Sequence, residues 1–315
     1  MHQAMTGSPP RQPGMSLVCP LCQAPLQARA DACLQCLGCQ RLFGRRGAFL
    51  DLCVREGFPD EPSEDMLRSE EASTRYTVLN FWIPLLQRTW PQVRQPLKVL
   101  SVGCGVGIDV EILHEHGYDS MGIDPGNRTR AWASRAHPAR LLLADGLALP
   151  FATHSFDAVY CGCVFPHVGV RGDSTQTHDD CWTQRAQLAR EMIRVLKPGG
   201  HLFASSPNRY CPLDLFHGRA IGSYLPRLQL PWDPFLLSIA DYQRLFSAAG
   251  ASGTQALPVR GYWGFISSRH HWKGRLYSLP VRAAFALLSL PALAFLRGSM
   301  LSPWLVVMAR KDGES

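Results

Sequence analysis

Two stretches of the chain place reactive residue types at spacings that do chemistry. The first is "CPLCQAPLQARADACLQCLGCQRLF". It holds two Cys-x-x-Cys pairs, Cys19/Cys22 and Cys36/Cys39, with thirteen residues between them. Each pair fits a tight knuckle turn that puts two thiolates on one side of a metal ion. Two knuckles complete a tetrahedral four-sulfur site for a structural Zn2+. Cys33/Cys36 has the same spacing, so Cys33 competes for a ligand position. Cys36/Cys39 is preferred, because "LQCLGCQRLF" reads as a hairpin followed by the apolar Leu42 and Phe43. A redox pair suits two adjacent pairs less well than a metal does. The second stretch is "VLSVGCGVGID", an apolar strand running into Gly103, Gly105 and Gly107. Such a turn lets the backbone close on a ligand carrying phosphate or ribose. A dinucleotide loop needs Gly-x-Gly-x-x-Gly. Counted from Gly103, its third glycine falls at position 108, which is Ile.

The elements that position these groups follow from periodicity. Val99–Val102 is a short apolar run of the kind found in buried parallel strands. Residues 108–116 have helical spacing, with Ile108, Ile112 and Leu113 on one face and Gly117 as a stop. "SMGID" is a second strand ending in Asp124, 21 residues after Gly103 and placed to accept from ribose hydroxyls. Helix–strand alternation continues through "REMIRVLKPGGHLFASSPN", "ADYQRLFSAAG" and "SPWLVVMARK". The alternation predicts an α/β fold with a small N-terminal zinc ribbon. The expected organisation is a disordered Pro/Gly/Ser-rich tail (1–15), a zinc-ribbon-like four-cysteine module (16–56) and a helical connector (57–96). A catalytic domain follows (97–315), with a basic and apolar insertion at about 262–300. The connector helix starts near Ser63, and its tail "TVLNFWIPLLQRTW" packs on the catalytic domain.

The motifs resemble those of the class I methyltransferases that use S-adenosylmethionine (SAM), of the broad small-molecule type. The alternating glycines, the acid ending the second strand and the later motifs occur in that order over residues 97–311. The resemblance implies that the sheet is doubly wound, Rossmann-like and seven-stranded, with SAM as cofactor. It assigns cofactor contacts to Ser101, Gly103, Cys104, Gly105, Gly107, Asp124 and Pro125. Asp145 and Gly146, in "LLLADGLALPF", meet the adenine. Phe151 is a packing residue, and Asp157 opens the fourth strand. One departure is Ser101, where the family often has a carboxylate that contacts the loop and the methionyl amine. Ser101→Asp is expected to tighten cofactor binding if that missing carboxylate matters. The cysteine module resembles the zinc ribbons found in front of methyltransferases, or as their partners, over residues 17–53. Ribosomal-RNA guanine methyltransferases also carry such a module, ending in a Cys and a His; no such His stands here.

The acceptor side is less legible. The fourth strand ends in "CGCVFPHV", without the Asn/Asp-Pro-Pro-Tyr/Phe of many amine methyltransferases. His167 just beyond it is either a base near the acceptor or a packing residue, and Cys161 and Cys163 read as core. In "SSPNRYCPLDLFHGRAIGSYLPRL", Asn208, Arg209, Asp214 and His217 are candidate acceptor contacts or loop ties. His167, Asn208 and His217 are the catalytic candidates.

Composition excludes a disordered chain: 46% of the 315 residues are apolar and 18% charged. The net charge of +7 is concentrated late, since Tyr242 to Lys311 contains no Asp or Glu. That basic region attracts phosphate of RNA or of anionic lipid, or is simply a solvated surface. The longest uncharged apolar run, Ala283–Leu296, has 14 residues and contains Pro291. It is shorter than the roughly 20 residues of a membrane span, so no transmembrane segment is expected. It reads as a buried or interfacial helix pair. No secretory signal is visible, so the cysteines are read in a cytoplasmic setting, with peripheral membrane contact as one reading. Three functions compete. They are methylation of a small-molecule or lipid-like acceptor, methylation of RNA gripped by the ribbon and basic region, and a non-catalytic partner that keeps the fold.

Overall fold

The computed structural model describes residues 16–29, 33–55, 62–92, 95–172, 174–214, 216, 227–264 and 272–313. The expected tail therefore lies outside the described residues, as does His217.

The cysteine-rich segment folds as three short antiparallel strands, β1 (Leu26–Ala28), β2 (Leu34–Cys36) and β3 (Leu42–Phe43). A small hairpin follows, β4 (Arg45–Arg46) and β5 (Phe49–Leu50). So few residues cannot build a core of their own. Instead, Cys19, Cys36, Phe43, Leu50 and Leu52 share one apolar cluster with Leu142 of the large sheet and with Phe151 in the segment after it. Backbone bonds fasten the two together: Val18 N donates to Pro150 O at 3.0 Å and Leu52 N to Leu143 O at 2.8 Å.

Helix α1 (Glu64–Thr77) begins where the sequence predicts, with the Ser63 hydroxyl accepting from Met66 N at 3.2 Å. A π-helical turn (Val78–Trp82) joins it to α2 (Ile83–Thr89). Val78, Phe81, Trp82 and Leu86 are buried in a cluster with Val99, Ile108 and Ile112, which is how the connector packs on the sheet.

The large sheet is built from β6 (Lys98–Val102), β7 (Asp119–Asp124), β8 (Leu141–Leu143), β9 (Phe156–Gly162), β10 (Leu196–Pro207), β13 (Ala251–Ala256) and β14 (Trp304–Lys311). Its order is β13-β14-β10-β9-β6-β7-β8. All neighbours are parallel except β14, which runs antiparallel between β10 and β13. Between the strands run α3 (Ile108–Glu115), the short α4 (Thr129–Trp132), α5 (Cys181–Val195) and α6 (Ile239–Ala248). α5 and α6 bury Leu188, Met192, Tyr242 and Phe246 on one face of the sheet, while α2 and α3 cover the other. Each such side chain contributes about 1.5–3 kcal/mol. A second small hairpin, β11 (Leu213–Asp214) and β12 (Arg227–Leu228), lies outside the sheet.

Lys197 to Gly200 is part of β10, whose pairing with β9 shifts register between Leu196 and His201. Two local expectations change. Cys161 is fully buried, but Cys163 lies past the end of β9 at a φ of 57° and is only half-buried. The apolar run Ala283–Leu296 is the end of α7 (Trp272–Leu288) and a 3-10 turn (Pro291–Leu296), with Phe285 and Leu288 buried and Leu287 and Phe295 exposed. No helix among the described residues is long and apolar enough to cross a membrane.

Candidate functional site

Strand order reverses at β6, which pairs with β7 on one side and β9 on the other. A doubly wound sheet opens a crevice at the carboxyl end of such a strand. The glycine loop lies there. Gly103, Gly105 and Gly107 have φ of 73°, 52° and 73°, in the left-handed region that side chains disfavour. Gly105 is doubly constrained, because a Cβ there would run into the Glu70 carboxylate of α1. Gly107 packs behind the loop, where a Cβ would sit 2.7 Å from Leu141.

Three carboxylates surround the loop, Asp124 and Asp109 buried and Asp145 half-buried. Asp124 ends β7; its Oδ2 accepts from Gly105 N at 3.1 Å and its Oδ1 from Gly126 N at 3.0 Å. Burial pushes its carboxyl from 3.8 up to about 6, although these amides and Arg128 favour the anion. Asp145 follows β8, accepts from Leu147 N at 2.8 Å and lies 3.4 Å from Arg55 of the N-terminal module. Asp109, in the first turn of α3, accepts from Ser101 Oγ at 2.6 Å and from Tyr160 OH at 2.5 Å, both on Oδ2. Sequence reading passed over Asp109. Its signal was an acid three and four residues before Ile112 and Leu113, hence on the helix face that has to be buried.

One cavity of about 1030 Å3 joins these groups. Of the residues singled out in the sequence, Ser101, Gly103, Cys104, Gly105, Asp124, Pro125, Asp145 and Gly146 line it, and so does His167. Gly107 does not line it, nor does Asn208. The Asn208 carboxamide is 1% exposed. It is consumed internally, donating to Ser299 O at 2.8 Å and Ser302 O at 2.9 Å and accepting from Tyr210 N at 3.2 Å. Its expected place at the acceptor is therefore corrected to a tie between the loop after β10 and the segment before β14. Arg209 and Asp214 are ties of the same kind: Arg209 Nε donates to Leu236 O at 2.8 Å, and Asp214 lies 3.6 Å from Arg227. Apart from Tyr262 and Trp263, which belong to the expected insertion at about 262–300, the rest of the lining was not foreseen. Glu70, Ser73 and Thr77 come from α1, Trp82 from the π turn, Tyr160 from β9, and Tyr262, Trp263 and Trp304 from around β14; His178 joins His167. The rings pack on one another, Trp82 on Tyr160 at 4.9 Å and Trp263 on Trp304 at 4.9 Å between centroids.

The alternating glycine turn at the switch point, ringed by acids and joined to an aromatic chamber, fits a ribosyl-adenine ligand with a second reactant beside it. Residues 100–204 match the family model described as "Methyltransferase domain". The chain carries a class I SAM-dependent methyltransferase domain. Among the chain's relatives is the 2-methyl-6-phytyl-1,4-hydroquinone methyltransferase of Synechocystis sp. It is 28% identical, over 48% of this chain and 45% of that protein. A probable tRNA methyltransferase 9B of Mus musculus is also 28% identical, over 39% of this chain and 26% of that one. A probable S-adenosylmethionine-dependent methyltransferase of Mycolicibacterium smegmatis is 30% identical, over 53% and 65%. The match thus spans less than two thirds of each relative's length.

The residues of this domain fit SAM on their own terms. The loop leaves no room for a Cβ at Gly105, Asp124 has acceptor capacity beyond its two amides, and one oxygen of Asp109 is buried without a partner. The Ser101→Asp expectation is revised by the same geometry. A carboxylate already lies 2.6 Å from Ser101 Oγ, so a second one would face a like charge and weaken binding.

The N-terminal thiols converge as well. The ligand atoms of Cys19, Cys22, Cys36 and Cys39 all lie within 4.8 Å of one another, while Cys33 stays outside this group. Cys22 and Cys36 Sγ are 3.3 Å apart, and Cys19 and Cys39 Sγ 3.7 Å. A tetrahedral zinc with Zn–S of about 2.3 Å puts its sulfurs roughly 3.8 Å apart, so the donor set fits that ion. Burial raises the Cys36 thiol, but the N–H of Cys39, the Cys22 thiol and the N–H of Gly38 outweigh it and hold Cys36 at about 6. A thiolate at neutral pH is what a metal ligand requires.

Proposed function

We propose that the protein transfers the methyl group of SAM to a small, apolar, ring-bearing or lipid-like acceptor bound against the aromatic part of the cavity. The aromatic lining is the observation that carries this reading: Trp82, Tyr160, Tyr262, Trp263 and Trp304 share one wall-to-wall space with the glycine loop. Flat rings stack well on such walls and lose little entropy in doing so. The relative named for a hydroquinone acceptor is consistent with it.

SAM, when bound, supplies an electrophilic methyl on a sulfonium, so the protein's task is positioning and desolvation. In this reading Asp124 holds the ribose, Asp145 the adenine edge, and the backbone of Gly103 to Gly105 closes on the cofactor's thioether region. The aromatic walls exclude water and aim the acceptor. His167, in the 3-10 turn Phe165–His167 after β9, takes the acceptor's proton. His167→Ala is expected to lower kcat roughly 100-fold while the S-adenosylhomocysteine (SAH) Kd changes less than about threefold. Unchanged turnover would remove His167 from this role.

A zinc ion held by the four N-terminal thiols is part of the proposal, with a structural role. The exposed apolar surface of Leu279, Leu287 and Phe295, beside Arg282, suits contact with a lipid surface from which such an acceptor is drawn. Two of the late basic residues are engaged within the fold. Arg297 Nε donates to Leu288 O at 3.0 Å, and Lys311 Nζ to Leu196 O at 2.8 Å. They are thereby less suited to gripping a phosphate backbone, which weighs against RNA. The test is to incubate the purified protein with SAM and either a panel of hydroquinones and phenols or total tRNA. Methyl incorporation into the ring compounds supports the reading; incorporation into tRNA alone overturns it.

A further inference from the structure

Where β6 runs into the glycine loop, three side chains form a small polar nest inside apolar surroundings. Asp109 is 4% and Ser101 2% exposed. Both hydroxyl donors, Ser101 and Tyr160, bond to the same oxygen, Oδ2 of Asp109. The other oxygen, Oδ1, is buried and has no hydrogen-bond partner. All three residues line the cavity. Among the described residues Asp109 forms no ion pair with Lys, Arg or His. A carboxylate buried with one oxygen unmatched is costly unless a cation or donor meets it. Burial accordingly raises the Asp109 carboxyl above its usual range, while Ser101 and Tyr160 favour the anion. Two donors on Oδ2 leave Oδ1 as the unmatched acceptor of a residue that lines the cavity.

The cofactor has a matching group. SAM and SAH end in an amino acid whose α-ammonium is a compact cation with three donors. Resting on the reading of the cavity as a SAM site, we infer that Asp109 binds this ammonium through Oδ1, with Ser101 and Tyr160 as positioning residues that hold the carboxylate through Oδ2. The charge that recognises the methionyl tail thus comes from the first turn of α3. Ser101, at the end of β6, acts as a donor to it. This explains how a strand ending in serine remains competent for the cofactor.

Isothermal titration with two ligands tests the inference: SAH, and its analogue lacking the amino group. Asp109→Asn keeps the shape and removes the charge. It is expected to weaken SAH by about 50-fold, the scale of a desolvated charge pair. Binding of the deaminated analogue should change less than about threefold. That retained binding also shows the variant is folded. Ser101→Asp with Asp109→Asn moves the carboxylate across the 2.6 Å bond and should bring SAH back to within about fivefold of the original protein. Equal losses for both ligands, or no loss for either, would overturn the assignment. If the unaltered protein fails to bind SAH at all, the cofactor reading falls first, a distinct result.

Discussion

Asp124→Ala is expected to lower the affinity for SAH by about two orders of magnitude. The carboxylate accepts from Gly105 N and Gly126 N and keeps acceptor capacity for ribose hydroxyls. Hydrogen bonds to a charged group contribute about 1.5–3 kcal/mol each, so losing two removes about 3 kcal/mol, which is roughly 150-fold. Asp124→Asn is expected to be nearly as damaging, because its NH2 would face one of the two amide N–H groups. Stability of the ligand-free protein moves much less. The folded carboxyl titrates at about 6, above its ordinary 3.8. Its contribution to stability is therefore fully present below 3.8 and is lost as the pH rises through about 6. Above that window the buried anion is a burden, and removing it offsets the two amides set free. Ribose hydroxyls donate to the anion, so bound ligand pulls the carboxyl back down. SAH affinity should therefore rise with pH through about 6 and lose that dependence in Asp124→Ala. Titration calorimetry at pH values on either side of 6 checks both statements. An Asp124→Ala protein with unimpaired affinity would remove the residue from the cofactor site.

Cys36→Ser is expected to abolish metal binding by the N-terminal module and to lower the melting temperature by about 10 °C. Cys36 is fully buried, lies 3.3 Å from Cys22 Sγ, and receives the N–H groups of Gly38 and Cys39 at 3.3 Å each. Serine is a poor zinc ligand, and three thiols around a void do not hold the knuckles. Structural zinc stabilises small peptides by about 10–16 kcal/mol at neutral pH. A loss of only about 4 kcal/mol, at roughly 2–4 °C per kcal/mol, gives a drop of this size. The damage should spread to the cofactor cavity, since Cys53 and Arg55 line it and Arg55 reaches Asp145. Elemental analysis with thermal melts checks this. One zinc per chain in the unaltered protein and almost none in the variant is the expected result. An unaltered protein without metal, equally stable after the substitution, would contradict it.

The parts of the site that the sequence displays are those set by backbone chemistry. Alternating glycines demand left-handed φ, and an acid at the end of a strand lies where the crevice opens, so Gly103, Gly105 and Asp124 could be named from spacing, and Asp145 from the family resemblance. The cysteine pairs are legible for the same reason, because a knuckle turn is a local structure. The seven-stranded order with β14 threaded antiparallel between β10 and β13 depends on long-range pairing, which periodicity does not report. Neither could periodicity show which distant rings share a chamber. Trp82, Tyr160, Tyr262 and Trp304 come from four separate segments and read one by one as core. Asn208 misled because a polar residue after a strand fits a site and a loop tie equally well. Its two carbonyl partners lie 91 and 94 residues further along the chain. Asp109 was overlooked for a related reason: the unmatched oxygen that gives it meaning appears only when α3 is folded against β6 and β9.

The central claim is that the glycine-loop cavity holds the methyl donor. Native mass spectrometry of the intact protein titrated with SAH tests it most directly. The expected spectrum shows one SAH per chain at micromolar ligand, lost in the Asp124→Ala variant, while the zinc-bound mass is unchanged between the two. A protein that stays free of SAH at millimolar ligand, or whose Asp124→Ala variant binds it equally well, would contradict the claim.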